Sequence, residues 1–95
     1  MKIEFSEEQY RTLLQVLYWG ECVSNSYKSE IDEQGQQVAA LEQYLFSKAK
    51  EFGAEDWIAF EEEKKLFYPT QAMQEATHPK VIEFEETILA RDKLN

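Results

Sequence analysis

Carboxylates interrupt the apolar stripe of nearly every helix that can be drawn in this chain. Glu21, Glu42, Glu61, Glu85 and Asp92 each fall at a helical position whose neighbours three and four residues away are mostly large and apolar. An isolated buried charge is very costly, so a carboxylate facing a core must meet a cation, a metal or a proton. The alternative is that such acids sit at stripe edges with their heads in water. Any fold of this chain has to solve that problem several times.

The first helix is announced by Ser6, an N-cap with Gln9 three residues on to complete a capping box, and by Phe5 and Tyr10 as a hydrophobic staple. Tyr10, Leu13, Leu14 and Leu17 then form one stripe, widened by Val16, Val23 and Tyr27. Trp19 projects roughly opposite it, at about 100° per residue. Residues 29–37 read as a polar connection. A second helix carries Val38, Leu41, Leu45, Ala49 and Phe52 in register, with Lys48 and Lys50 in its last turn and Gly53 as the stop. Glu55 and Asp56 suit the first turn of a third helix lined by Trp57, Phe60, Phe67 and Tyr68, ended by Lys64, Lys65 and Pro69. Residues 70–76 suit either a short helix or an ordered loop. Thr77-His78-Pro79 begins a last helix with Val81, Ile82, Phe84, Ile88 and Leu89 on its apolar side.

No segment alternates with period two long enough to announce a strand. The expected fold is therefore all-α, a compact four-helix bundle or helical array, with room for one further short helix near 70–76. Residues 1–95 form a single all-helical domain. A chain this short buries roughly 60–65% of its unfolded surface, enough to fold without staples.

Nineteen acidic residues against ten basic ones leave a formal charge of -9. Phosphate backbones and anionic membrane surfaces both demand the opposite sign, so nucleic acid and membrane are excluded as partners. Metal ions, cationic ligands and basic proteins remain. Cys22 is the single cysteine, so no internal disulfide forms, and Glu21 beside it raises the thiol's pKa, which disfavours a nucleophile. His78 is the single histidine, and the three glycines are isolated, so zinc-histidine sites and phosphate loops are not expected. With no apolar run to serve as a leader or a span, a cytoplasmic location is the expectation.

Glu85 and Asp92 stand two turns apart on one face, with Val81 and Ile88 on one side and Ile82 and Leu89 on the other. Inward carboxylates from several helices are how bundles hold divalent metals. One reading therefore makes Glu61, Glu85 and Asp92 ligands for Mg²⁺ or Mn²⁺. The other pairs such acids with Lys64 and Arg91 and needs no cofactor. The run Glu61-Glu62-Glu63-Lys64-Lys65 reads as a solvated helix face with supporting pairs such as Glu61 with Lys65. Trp19 is either a second core contact or part of a partner-binding patch.

The carboxylate pattern, with Glu83-x-x-Glu86 and with Glu85 and Asp92, resembles the all-α nucleotide pyrophosphatases. Those enzymes hold Mg²⁺ with a Glu-x-x-Glu motif on one helix and a Glu-x-x-Asp motif on the next. The spacing here departs from that pattern, and the metal motif is not intact. Segments 6–27, 41–53 and Arg91-Asp92 are similar to small bacterial proteins of that helical shape. Phe67-Tyr68-Pro69 resembles the aromatic pair before proline in bacteriocin immunity proteins, also small, acidic and four-helical. The leading expectation is a non-enzymatic interaction or regulatory module that meets a protein partner. A metal-dependent or degenerate pyrophosphohydrolase is the alternative, and an immunity-type inhibitor of a basic protein the third. Oligomeric state is left open.

Overall fold

A computed structural model of the chain describes residues 1–25 and 32–94, with side chains for residues 1–24 and 32–91. In chain order it comprises α1 (Glu7–Asn25), α2 (Glu33–Phe46), a 3-10 turn (Ala49–Phe52), strands β1 (Ile58–Glu61) and β2 (Leu66–Pro69), and α3 (Gln71–Leu94).

The start of α1 is the expected capping box. The Gln9 amide donates to Ser6 Oγ at 3.1 Å, and the Ser6 amide donates to Gln9 Oε1 at 2.9 Å. Tyr10 and Leu14 then point into the core, where Tyr10 stacks on Phe52 with centroids 4.3 Å apart and its hydroxyl donates to the Leu45 carbonyl. Asp32 caps α2 by accepting from the Gly35 amide at 2.8 Å. The α-helix ends at Phe46, and a tighter 3-10 turn carries Ala49 into the core. Gly53 closes it at φ 67°, where its lack of a Cβ avoids the left-handed penalty. Leu41, placed on the apolar stripe by spacing, is 48% exposed; the buried line of α2 runs through Gly35, Glu42 and Phe46 instead.

The expected third helix is absent, and with it the all-α four-helix bundle. Residues 58–69 form a two-stranded antiparallel sheet in which Phe60 faces Phe67 and Glu61 faces Leu66. The cause lies in the composition of its two arms. Ile58-Ala59-Phe60 and Leu66-Phe67-Tyr68 are rich in β-branched and aromatic side chains, which lose rotamer freedom in a helix and pack well on a pleat. The charged residues 62–65 form the turn between them, with Lys65 at φ 55°. Glu61 and Lys65, expected as an (i, i+4) helical pair, flank that turn. Phe60 and Phe67 meet across the strands at 4.8 Å between centroids. Pro69, which has no N–H, falls at the end of β2.

Thr70 joins the hairpin to α3. Its amide donates to the Trp57 carbonyl at 2.8 Å and its hydroxyl to the Asp56 carbonyl at 2.6 Å, closing the base of the hairpin. Its own carbonyl accepts from Gln74 at 3.0 Å and starts the helix. The open choice at residues 70–76 thus resolves as helix, continuous with the last one. Pro79 is not at a first turn but well inside α3. It forfeits the bond to the Glu75 carbonyl, and Glu75, Ala76 and Pro79 are all exposed, so water can take up that carbonyl.

The core gathers Tyr10, Leu14, Phe46, Ala49, Ala54, Ile58 and Met73. It therefore lies where α1, α2, the hairpin and the first half of α3 meet. From residue 82 to residue 91 every side chain of α3 is exposed. At about 1.5 Å per residue, some 15 Å of helix runs past the core, and the molecule extends 48 × 31 × 29 Å.

Candidate functional site: an apolar groove and a carboxyl pair

Polar contacts fix how α1 lies against α3, all on the residues just before Pro79. Trp19 Nε1–H donates to the Thr77 carbonyl at 3.0 Å. The Tyr18 hydroxyl meets His78 Nδ1 at 2.9 Å, and Gln15 Nε2 donates to Thr77 Oγ1 at 3.4 Å. Thr77 is fully buried at this crossing. Beyond it the two helices no longer close on each other. The opening is a groove of about 400 Å³, lined by Trp19, Cys22, Val23, Val81 and Phe84 together with Thr87 and the ion-paired Lys80 and Glu83.

Two of the groove's apolar side chains are themselves well exposed, Val23 at 64% and Phe84 at 59%, whereas Ile82 and Leu89 are exposed on another face of α3. Apolar side chains gathered around a groove mark an interaction site more often than isolated exposed residues do. Trp19, the expected partner-binding residue, is half-buried: its indole N–H is held by α3 while its ring lines the groove.

The inward carboxylates separate into different cases. Glu42 is buried at 5% exposure, and its side chain is hydrogen-bonded to that of Glu21 on α1. A hydrogen bond between two carboxyl groups requires a proton on one of them. Burial pushes the Glu42 pKa up to about 8, and the hydrogen bond to Glu21 and that residue's charge push the same way, so the proton resides on Glu42. Here a proton on Glu42 allows the carboxyl to be buried. Beside this pair, burial raises the Cys22 pKa, and the charges of Glu21, Glu42 and Glu85 raise it further.

The expected metal residues lie on different elements. Glu61 ends β1 and is half-buried, Glu85 is exposed on α3, and the side chain of Asp92 lies outside the described residues. Among the described residues, no group of three or more His, Cys, Asp or Glu side chains is arranged to hold a metal ion. Nor do Lys64 and Arg91 supply the described ion pairs, which join Arg11 to Asp56, Lys48 to Glu51 and Lys80 to Glu83. Among the described residues, no helix is long and apolar enough to cross a membrane.

Val81 and Phe84 were legible as apolar, but their position in a groove wall was not. No protein-family model, no curated protein and no solved structure matches the chain.

Proposed function

We propose that this chain is a small, non-enzymatic protein-interaction module whose contact surface is the α1/α3 groove together with the second half of α3. The observation that carries the reading is the groove itself, with the exposed apolar side chains of Val23 and Phe84 in its wall, on a helix that extends past its own core. The first half of α3 meets the need for a core through Met73 and Thr77. The second half contributes no buried side chain among the described residues. Partner binding is the ordinary reason for a helix to keep such a surface uncovered.

Photo-cross-linking in the producing cell tests this. A benzophenone amino acid placed at Val23 or Phe84 should yield a discrete higher-mass adduct, the same partner from both positions. The same group at Thr12, exposed elsewhere on α1, should yield none. Equal adduct patterns at all three positions, or none at Val23 and Phe84, would overturn the reading.

A further inference from the structure

We propose that the Glu21–Glu42 carboxyl pair is a proton-held latch between α1 and α2, closed in acidic and neutral media and released as the medium turns alkaline. It stands apart from what the groove binds.

Burial argues for a held proton. Glu42 is 5% exposed, Glu21 is half-buried, and the two side chains are hydrogen-bonded to each other. The described ion pairs all lie elsewhere, on Arg11, Lys48 and Lys80. A carboxyl buried this deeply with no cation beside it stays neutral. The groups that face Glu42 favour the same state. From α1 come Glu21 and Cys22, both of which turn negative on losing a proton, and from α3 the Glu85 charge reaches Cys22. Towards the hairpin, the next residue of α2, Gln43, meets the uncharged backbone of Phe67. None of these neighbours stabilises a carboxylate at position 42.

Position argues for a latch. Near its start α1 is fixed by Tyr10, which stacks on Phe52 and donates to the Leu45 carbonyl, and by Leu14 in the core. Glu21 lies about 16 Å further along the helix. Trp19 and Tyr18 tie that later part of α1 to Thr77 and His78 of α3. Loss of the proton sets two carboxylates against each other in a buried site. Glu42 then reaches water when α1 and α2 part at the level of Glu21, while the Tyr10 end and the contacts with α3 hold. Burial, the hydrogen bond to Glu21 and that residue's charge push the Glu42 pKa up to about 8. The latch therefore holds below that pH and releases as the pH rises through it.

The test reads the full chain, in a Cys22→Ala background, both at the pair and across it. Carbon-13 NMR follows the Glu42 side-chain carboxyl from pH 5 to pH 9.5. Spin labels on Gly20→Cys and Ala40→Cys, both exposed positions, report the separation of α1 and α2 over the same range. The carboxyl should titrate at about 8, and the label separation should lengthen with the same midpoint. Glu42→Gln cannot ionise and should keep the short separation at every pH. Glu21→Gln removes the facing charge but leaves a donor for Glu42, so both transitions should move to lower pH. A Glu42 carboxyl that titrates in the ordinary carboxylate range would overturn the held proton. Titration near 8 with an unchanged separation would overturn the latch, as would a lengthening that persists in Glu42→Gln. Transitions that stay in place in Glu21→Gln would overturn the pairing.

Discussion

The side-chain amide of Gln43 holds both backbone groups of Phe67. Its Nε2 donates to the Phe67 carbonyl at 2.8 Å, and its Oε1 accepts the Phe67 N–H at 2.9 Å. One residue of α2 thus does for β2 what a neighbouring strand would do, and caps the free edge of a two-stranded sheet that would be marginal alone. Gln43→Leu should destabilise the protein by about 2 kcal/mol, because it orphans two half-buried backbone groups. Gln43→Glu should cost at least as much, since a carboxylate cannot donate to the Phe67 carbonyl. Urea unfolding measures both, and a change below about 0.5 kcal/mol would show that the clamp contributes nothing.

The carboxyl pair makes a prediction of unusual sign. The folded pKa of Glu42, about 8, lies above its ordinary value of 4.5. Its contribution to stability is therefore fully present below pH 4.5 and is lost as pH rises through 8, at up to about 1.4 kcal/mol per unit. Glu42→Gln keeps a donor for Glu21 and never ionises. Relative to wild type, the variant should gain stability from pH 5 to about pH 8 and level off above it. Parallel stability curves across that range would contradict the proton on Glu42.

Cys22 should react slowly with iodoacetamide at pH 7.5, because the thiolate is the reactive form and its pKa is raised by burial and by the charges around it. Glu85→Gln removes one of those charges without touching the core, since Glu85 is exposed. It should speed alkylation two- to fivefold. An unchanged rate would mean that the Glu85 charge does not reach the groove.

The parts of this fold that were readable in the chain are those decided locally. The Ser6–Gln9 box depends on a handful of consecutive residues and forms as expected, and Gly53 is a stop, though of the 3-10 turn rather than of α2, which ends at Phe46. The hairpin was not readable, because two four-residue strands persist only under tertiary cover from Gln43, Ile58 and the Thr70 closure. Thr70 also hid the start of α3, since a hydroxyl that closes a loop and one that starts a helix look alike in sequence. The acid at position 42 was correctly suspected of facing inward. The acid at 85 was placed on an apolar arc, but the arc faces outward, and periodicity is the same whether an apolar face meets its own core or another molecule.

The central claim is that the apolar side chains on the second half of α3 are held for a partner rather than for this chain's own core. Thermal and urea unfolding of Phe84→Ser and Leu89→Ser, beside Leu14→Ala as a core reference, tests it most directly. Leu14 is fully buried, so its truncation should cost about 3 kcal/mol. The two α3 variants, each altering a residue 59% exposed, should stay within about 0.5 kcal/mol of wild type. If either variant loses 2 kcal/mol or more, those side chains belong to the folding core, and the groove is not a surface kept for a partner.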